Sequence, residues 1–357
     1  MLSHRLSGIN IIGSRSSHEH KLGIALVGLG GYASNQLAPA LLETQYCELK
    51  GIVSGTPAKQ DKWADQYKIP SKNIYDYNNF DDIADNDDID IVYVVLPNSM
   101  HAEYTIRAAR AGKHVICEKP MANNYEDCVS MIDACKKANR KLSIGYRLHF
   151  EPHNLEVMRL GQKKVFGKVK EVDSGFGFIM NNLDQWRAKK EYAGGGPLMD
   201  VGIYAIQSMI YTLGRLPKAL QARDTTIDTK RWTSVEGSLE ADFTYDSGPK
   251  ASIKTSYEDN YCYTRSIAEA GHWELSPAYF YDGLSGTTSN GKMDIQNINQ
   301  QAAQMDAFAQ CILKDKESVV SGMMGARDMF IIDRMYESVS LGKEVSLKGI
   351  PQILHLV

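Results

Sequence analysis

A glycine-rich loop at residues 28–33 is the feature that most constrains the fold. It reads G-L-G-G-Y-A and follows Lys21–Gly28, an apolar run typical of a buried parallel strand. A G-x-G-x-x-A pattern between a strand and a helix is typical of a dinucleotide site: Gly28 permits the tight turn, Gly30 lets main-chain amides approach a pyrophosphate, and Ala33 allows close helix packing. The alternative is a glycine turn without a ligand. The residues predicted to contact the dinucleotide here are Gly28, Gly30, Gly31 and Tyr32.

Strands and helices alternate from residue 21 to residue 146. Four further apolar runs predict strands, and segments of helical periodicity separate them. The strands are expected at Leu49–Val53, Ile91–Leu96, His114–Cys117 and Leu142–Tyr146, and the helices at Ala58–Tyr67, Ala102–Ala111 and Tyr125–Ala138. This alternation favours a doubly wound α/β domain, a Rossmann fold, with a parallel sheet.

The pattern changes after residue 146. Extended segments cluster there, which favours an α+β domain with a large, mostly antiparallel sheet. Strands are expected at Lys168–Phe178, Ser238–Tyr245, Lys250–Tyr257 and Tyr263–Ala270, and helices at Pro152–Leu160, Pro197–Leu213, Gln301–Leu313 and Ala326–Leu341. We therefore predict an N-terminal arm at residues 1–20, a dinucleotide-binding domain at 21–146 and a substrate-binding and oligomerisation domain at 147–357.

Composition disfavours two classes of partner. The 357 residues carry 40 Lys and Arg against 43 Asp and Glu, a net charge of −3, so the chain lacks the positive excess that nucleic-acid binding needs. The longest apolar stretch, Ile89–Pro97, is far shorter than the roughly 20 residues of a membrane helix. Residues 1–20 lack the apolar core of a signal peptide, which favours a cytoplasmic location; export stays open if a leader was removed.

The cysteine and histidine spacings do not favour a metal site. The six cysteines include no C-x-x-C pair. His149 and His153 stand four apart with Glu151 between them, but Pro152 argues against one continuous helix presenting both rings. We predict no bound metal.

The end of the second strand indicates which dinucleotide is bound. An NAD site usually places Asp or Glu here for the ribose 2′-hydroxyl, and that acid would repel a 2′-phosphate. The sequence has Ser54-Gly55-Thr56 and then Lys59, with no carboxylate. We therefore favour NADP over NAD, with Ser54, Gly55 and Lys59 as binding residues. The alternative is that Ser54 and Lys59 only solvate a loop.

Four polar segments are expected to meet at the ligand-binding side of the first sheet. They are LPNSMH at 96–101, CEKPM at 117–121, GYRLHF at 145–150 and AGGGPLMDVGIY at 193–204. The first three end or follow predicted strands, and ligands bind at the carboxyl ends of such strands. In the fourth, Pro197 suits the first turn of a helix, so Asp200 and Tyr204, four apart, share one helix face.

These motifs resemble the large oxidoreductase family named for glucose–fructose oxidoreductase, inositol dehydrogenase and rhizopine catabolism. The resemblance rests on GLGGYA, LPNSMHAEY, EKPMA and AGGGPLMDVGIY and extends from about Leu22 to Gly342. It is strongest to the glucose–fructose oxidoreductase branch, through IVSGTPAK, IYDYNNFDDIA, GYRLHFEPHN and QWRAKKEYAGGG. Tyr204 points the same way, because many relatives carry His at that position.

The resemblance implies hydride transfer between a sugar or polyol and the nicotinamide, with Lys119, Asp200 and Tyr204 at the reacting centre. Oxidising a hydroxyl requires removal of its proton, and a nearby ammonium stabilises the phenolate that makes Tyr204 a usable base. In the reverse direction Lys119 stabilises the developing oxygen charge. Asp200 would orient sugar hydroxyls. Taken singly, each residue also has an ordinary structural interpretation: a turn lysine, a core-edge tyrosine and a helix-dipole partner.

Further residues are expected to line the cofactor pocket. They are Leu96, Pro97, Asn98, His101, Glu118, Lys119, Arg147, Trp186 and Arg187. For Trp186 and Arg187, ordinary packing is the alternative interpretation.

Three functions stay open at this point. The first is a ping-pong cycle between an aldose and a ketose on tightly held NADP. The second is a dehydrogenase or reductase of aldoses, anhydro-sugars or dihydrodiols with a dissociable cofactor. The third is a non-catalytic sensor, which the presence of Lys119 disfavours. Neither the sugar nor the direction of the reaction is determined.

The resemblance also bears on assembly. Glucose–fructose oxidoreductases cover a neighbouring subunit's cofactor with a proline-rich N-terminal arm, but residues 1–20 here contain no proline, so permanent cofactor retention is in question. A homodimer or homotetramer is implied. We expect it to form through an apolar face of the second sheet, which a monomer would seldom expose.

Overall fold

The computed structural model describes residues 21–357, so the predicted arm at 1–20 lies outside the described residues. Six parallel strands form the first sheet, in the order β3-β2-β1-β4-β5-β6. They are β1 Leu22–Val27, β2 Cys47–Val53, β3 Ile74–Tyr75, β4 Ile91–Val94, β5 His114–Cys117 and β6 Leu142–Ile144. All of β1 is buried, as expected for a parallel strand covered on both faces. The predicted doubly wound α/β fold is confirmed.

Helices cover this first sheet. They are α1 Ala38–Leu41, α2 Pro57–Tyr67, α3 His101–Arg110 and α4 Tyr125–Lys137. A π-helical segment, Ala33–Leu37, precedes α1, so the glycine loop runs directly into helical structure. The sequence did not predict β3, because two paired residues are too short to show a pattern.

Nine strands form the second sheet, in the order β14-β13-β12-β11-β7-β10-β9-β8-β15. They are β7 Val169–Gly177, β8 Ala219–Asp224, β9 Ser238–Thr244, β10 Lys250–Ser256, β11 Tyr261–Ala268, β12 Gly271–Leu275, β13 Gly286–Thr288, β14 Gly291–Lys292 and β15 Val345–Ser346. Only the pairing of β7 with β10 is parallel. The predicted mostly antiparallel sheet is confirmed, although only its four long central strands were foreseen.

The helices in the second half of the chain are α5 Pro152–Gln162, α6 Lys190–Ala193, α7 Ile203–Leu213, α8 Gln300–Leu313 and α9 Gly322–Leu341. Two of them pack on one face of the second sheet, α7 on β7 and β10, and α9 on β8. Two expectations need correction. The segment Leu198–Gly202 before α7 is π-helical rather than α-helical, and α9 begins four residues earlier than Ala326. Glycine at position 322 had obscured that start.

The helix α8 packs against the first sheet although it follows most of the second. Its Met305 and Phe308 share a buried core with Ile24 and Leu26 of β1 and with Leu37. The chain therefore returns to the nucleotide-binding sheet after building the other one. The division of the sequence at residue 146 stays a prediction.

The face of the second sheet opposite the helices is not the apolar surface that we expected. Lys254 lies 4.4 Å from the ring of Tyr261, and Arg265 lies 4.3 Å from the ring of Tyr263, on adjacent positions of this face. Charged and aromatic side chains alternate here because the strands place their apolar residues toward the helices. Among residues 21–357, no helix is both long enough and apolar enough to span a membrane.

Candidate active site

A cleft of about 820 Å³ lies between the carboxyl ends of the first sheet's strands and the second sheet. Every residue predicted to bind the cofactor or to carry the chemistry lines this cleft. They are Gly28, Gly30, Gly31, Tyr32, Ser54, Gly55, Lys59, Leu96, Pro97, Asn98, His101, Glu118, Lys119, Arg147, Trp186, Arg187, Asp200 and Tyr204. The fold thus brings seven separate segments of the sequence to one place. What each residue does there stays a prediction.

The glycine loop forms a cradle at one end of the cleft. Gly28 has φ +96°, and a side chain there would meet the carbonyl oxygen of Val95 at 2.6 Å, so only glycine fits. At Gly30 and Gly31 the opposite holds, because an added Cβ would meet nothing within 4 Å. This open space above main-chain amides at a helix start fits the pyrophosphate of a dinucleotide.

The end of β2 forms the adenosine side of the cradle. Ser54 is buried, and its Oγ accepts a hydrogen bond from the main-chain N–H of Thr56 at 3.2 Å. Lys59 stands exposed at the rim, on the first turn of α2. Tyr77, which the sequence did not single out, adds an aromatic wall here. Among residues 21–357, the acids that line the cleft are Glu118 and Asp200, and neither belongs to this group, which suits a 2′-phosphate.

Lys119, Asp200 and Tyr204 meet at the other end of the cleft. The Lys119 ammonium lies 4.8 Å from the centre of the Tyr204 ring. It donates a hydrogen bond to the main-chain oxygen of Asp200 at 2.5 Å and lies 3.5 Å from Oδ1 of the same residue. Lys119 follows β5, whereas Asp200 lies in the π-helical segment Leu198–Gly202 and Tyr204 in the first turn of α7, so contact between distant parts of the chain assembles the cluster.

The Asp200 carboxylate connects several side chains. Arg187 lies 3.3 Å from its Oδ1, and the Tyr257 hydroxyl donates to its Oδ2 at 3.1 Å. Burial acts to raise the pKa of Asp200, but the cations of Arg187 and Lys119 hold it below its ordinary value. The carboxylate is therefore ionised at neutral pH, and its remaining lone pairs can accept hydrogen bonds from hydroxyl groups.

Arg147 is buried behind the phenol of Tyr204. Its guanidinium carbon lies 5.1 Å from the centre of the Tyr204 ring and 4.5 Å from that of Tyr281. Its nitrogens donate to the main-chain oxygens of Tyr279 at 2.5 Å and Phe280 at 3.1 Å. Two cations, Arg147 and Lys119, therefore stand beside the ring of one phenol.

Two of the predicted cofactor residues, His101 and Asn98, hold main chain of neighbouring segments in place. The ring nitrogens of His101 lie 2.8 Å from the oxygen of Pro120 and 2.9 Å from that of Leu96. Asn98 donates to the oxygen of Ala193 at 2.9 Å, tying the loop after β4 to the segment before α7. These contacts fix the positions of the EKP turn and the GGG loop.

Glu118 faces the first domain's interior. Its Oε1 accepts a hydrogen bond from Tyr93 at 2.7 Å, and Gln304 of α8 donates to the same hydroxyl at 2.9 Å. Burial raises the pKa of the Glu118 carboxyl above its ordinary value, although Tyr93 and Lys119 oppose this. The structure thus places Glu118 in the wall of the cleft, joined to α8 through Tyr93.

The GGG loop is held by a residue that no motif indicated. The Glu236 carboxylate accepts from the main-chain N–H of Gly196 at 2.9 Å and of Leu198 at 3.3 Å, and from the Tyr336 hydroxyl at 3.0 Å. A Cβ at Gly195 would lie 1.9 Å from that hydroxyl, which explains the glycine. Glu236 therefore fixes the start of the helical segment that carries Asp200.

Aromatic residues that the sequence did not single out complete the reacting end of the cleft. They are Phe176, Phe178, Tyr279, Phe280 and Tyr281, with Gln185 beside them. Rings of this kind bind the apolar face of a sugar, whereas the charged groups bind its hydroxyls. The only sequence signal was the alternation of Phe176 and Phe178, which places both on the same side of the chain.

Comparison with known proteins agrees with this geometry. Residues 22–146 match the model of an oxidoreductase family described as having an NAD-binding Rossmann fold. Residues 155–272 match the GFO/IDH/MocA C-terminal domain.

Two relatives and a solved fold illustrate the match. The chain is similar to D-xylose 1-dehydrogenase [NADP(+)] of Haloarcula marismortui, 27% identical over 348 residues and covering 93% of this chain and 95% of the other. It is also similar to the crystal structure of aldose-aldose oxidoreductase from Caulobacter crescentus complexed with glycerol, 40% identical, with a TM-score of 0.89, covering 92% and 100%. A levoglucosan dehydrogenase complexed with NADH and levoglucosan shares the fold, at 20% identity, a TM-score of 0.78, and 93% and 100% coverage.

Proposed function

The chain belongs to the Gfo/Idh/MocA oxidoreductase family, and from that premise we propose that it transfers hydride between an aldose and NADP. The observation that carries the proposal is the cluster of Lys119, Asp200 and Tyr204 at the far end of a cleft that begins in a glycine cradle. An acid–base side chain beside a nicotinamide site is what oxidation of an alcohol requires.

The cofactor end of the cleft supports NADP. Gly30 and Gly31 leave room for the pyrophosphate, and Ser54 and Lys59 offer a hydroxyl and a cation to a 2′-phosphate. The relative from Haloarcula marismortui is named as an NADP(+) enzyme. When bound, the nicotinamide supplies the hydride acceptor or donor.

The residues at the reacting end divide the remaining tasks. Tyr204 removes the proton of the sugar hydroxyl, and the ammonium of Lys119 and the guanidinium of Arg147 stabilise its phenolate. Asp200, ionised and held by Arg187, accepts hydrogen bonds from neighbouring hydroxyls and so orients the sugar. In the reverse direction Tyr204 returns the proton.

The aromatic wall favours an aldose in ring form as the substrate. Phe176, Phe178 and Trp186 offer apolar faces, and Asp200 and Arg187 offer hydrogen-bond partners for hydroxyls. Two relatives that match over more than nine-tenths of this chain are named for reactions on aldoses. We propose that the first oxidation converts the aldose to its lactone.

The test is purification followed by gel filtration, absorbance at the wavelength of reduced nicotinamide, and turnover with a panel of aldoses. A spectrum of bound NADP(H) that persists through the column, with reduction of the bound cofactor by an aldose alone, supports the ping-pong cycle. Turnover only when free NADP is added supports a second candidate, a dehydrogenase with dissociable cofactor, as the similarity to D-xylose 1-dehydrogenase suggests. No aldose-dependent change of either kind would overturn both candidates.

We also propose a homodimer or homotetramer formed through the open face of the second sheet. That face carries charged and aromatic side chains suited to a polar interface, namely Lys254, Tyr261, Tyr263 and Arg265. Light scattering at micromolar concentration tests this, and a monomer would contradict it.

A further inference from the structure

Two tyrosines from distant parts of the chain meet at the mouth of the cleft. Tyr32 belongs to the glycine loop, and Tyr281 belongs to the connection between β12 and β13 in the second domain. Their ring centres lie 5.7 Å apart and their planes are inclined by 34°. Both rings line the same cleft as Gly30 and Gly31. The second domain therefore touches the loop that would hold the pyrophosphate.

The segment that carries Tyr281 is fastened along its main chain. The side-chain amide of Gln300 donates to the oxygens of Phe280 and Tyr281, each at 3.0 Å. Arg147 donates to the oxygen of Phe280, and its guanidinium stacks on the Tyr281 ring at 4.5 Å. Arg147, which follows β6, is itself buried, so the Tyr281 ring is held against a fixed cation.

Tyr281 is nevertheless 45% exposed. The ring is thus partly open to solvent, although Tyr32 and Arg147 lie against it. A side chain in this position separates the cleft from solvent without forming part of the core. It can move away by rotation of a single exposed side chain, and the contacts of its main chain stay in place.

We propose that Tyr32 and Tyr281 form an aromatic clasp that retains the dinucleotide, and that opening of this ring pair limits the rate of cofactor release. The inference rests on the proposed NADP-dependent function. Aromatic pairs attract one another beyond the effect of burial, and this pair bridges the two walls between which the cofactor must pass. Such a clasp would retain the cofactor within one subunit, without an arm from a neighbour.

Release of NADPH measures the clasp directly. The full-length protein is loaded with NADPH and mixed rapidly with excess NADP⁺, and the loss of nicotinamide fluorescence gives the dissociation rate. We expect Tyr281→Ala to raise that rate about tenfold, the value of one aromatic pair. Tyr281→Phe keeps the ring and should stay within about twofold of the unmodified protein.

Tyr67→Ala is the matched control. Tyr67 also stands in a tilted aromatic pair, with its centre 5.1 Å from that of Trp63, but it lies on α2 outside the residues that line the cleft. Its loss should not change the release rate. If Tyr281→Ala fails to fold, Tyr281→Leu removes the ring while keeping an apolar side chain, and it should show the same acceleration.

The outcomes separate the clasp from the function on which it rests. An unchanged release rate in a folded Tyr281→Ala or Tyr281→Leu protein would overturn the clasp, while NADPH binding and aldose turnover would still stand. Equal acceleration in Tyr281→Phe would also overturn it, because the hydroxyl rather than the ring would then be responsible. Absence of NADPH binding by the unmodified protein would overturn the proposed function together with the clasp.

Discussion

The two ends of the cleft are built in different ways. The cofactor end consists of short contiguous loops, residues 28–32 and 54–59, and offers mainly main-chain groups and open space. The reacting end consists of side chains from four separate segments, those of Lys119, Arg187, Asp200 and Tyr257, joined by ion pairs and hydrogen bonds around Asp200. Groups connected in this way act as a unit, whereas separate contacts to a cofactor contribute almost independently. The two ends should therefore respond differently to substitution.

The largest effect is expected at the reacting end. Tyr204→Phe removes the proposed base but keeps the ring that packs 6.0 Å from Tyr279 and 5.9 Å from Phe176, so the protein should fold and bind NADPH normally. Loss of one acid–base group lowers turnover about 10²- to 10⁴-fold. Single-turnover reduction of bound NADP by an aldose measures this directly.

The double variant tests whether this end is one unit. Lys119→Ala should lower turnover by a similar factor, and Lys119→Ala with Tyr204→Phe should be little worse than either alone. Tyr67→Phe, on α2 outside the residues that line the cleft, is the matched control and should have full activity. Losses that multiply in the double variant would show that the two residues act separately and remove the contrast between the two ends. Full activity of Tyr204→Phe would remove the mechanism.

At the cofactor end the expected effect is smaller and confined to binding. Lys59→Ala should weaken NADPH binding roughly 10- to 150-fold, the range for a lost hydrogen bond to a charged group. NADH lacks the 2′-phosphate, so its dissociation constant should not change, and turnover at saturating NADPH should stay close to normal. Fluorescence titration with both nucleotides gives the four dissociation constants.

Lys62→Ala is the control for this change. Lys62 is exposed on the same helix but does not line the cleft. Tighter binding of NADH than NADPH by the unmodified protein would refute the NADP assignment. An equal loss for both nucleotides in Lys59→Ala would place the lysine elsewhere than at the 2′-phosphate.

The same contrast explains how far the sequence predicts the site. The cofactor end was found because its residues are contiguous and stand between a strand and a helix, where the pattern has a physical meaning. The Lys119, Asp200 and Tyr204 cluster was found because each residue lies in a short motif. Tyr279 and Tyr281 were missed, since only the pairing of β11 with β7 and β12 brings their segment to the cleft. No local pattern encodes that register.

The fold shows the same division. Long periodic segments such as β1 and β7 were predicted because burial imposes a clear pattern on them. Strands β3, β13, β14 and β15 have two or three residues and stand at or near sheet edges, where their pairing depends on neighbours. Glu236 is an isolated carboxylate in a loop, and its function is visible only once Gly196 and Leu198 lie against it.

Glu236 offers a smaller test at the reacting end. Glu236→Gln leaves one oxygen to accept a main-chain N–H but turns an amide N–H₂ toward the other donors, so the start of the helical segment should shift. We expect about a 5- to 10-fold lower kcat/KM for the aldose, equal to a loss of about 1 to 1.4 kcal/mol. NADPH binding should be unchanged. Glu240→Gln is the control variant, because Glu240 lies on β9 of the second sheet.

An effect on stability alone, and none on turnover, is expected at Asp333, outside both ends of the cleft. Its Oδ2 accepts the main-chain N–H of Tyr125 at 2.9 Å, and burial raises the pKa of its carboxyl to about 6. An acid with a raised pKa in the folded state destabilises the fold as pH increases from its ordinary pKa to the raised one. Asp333→Asn keeps an acceptor for Tyr125 and removes that ionisation. The variant should therefore be more stable at pH 7 and above.

The predicted gain has a definite size and pH dependence. One pKa unit corresponds to about 1.4 kcal/mol in the free energy of unfolding, and solvent screening at a partly exposed carboxyl reduces this contribution. We therefore expect Asp333→Asn to increase the free energy of unfolding by about 1 to 2 kcal/mol at pH 7 to 8. The gain should shrink as pH falls through 6 and vanish below about pH 4, where the carboxyl is protonated in both states. Urea unfolding across this range measures it. Asp65→Asn, on an exposed position of α2, controls for the loss of a negative charge. A gain in stability of Asp333→Asn that is equally large at pH 4 would show that ionisation is not its cause. Unchanged NADPH release and aldose turnover in this variant would show that this part of α9 affects the stability of the fold without acting on either end of the cleft.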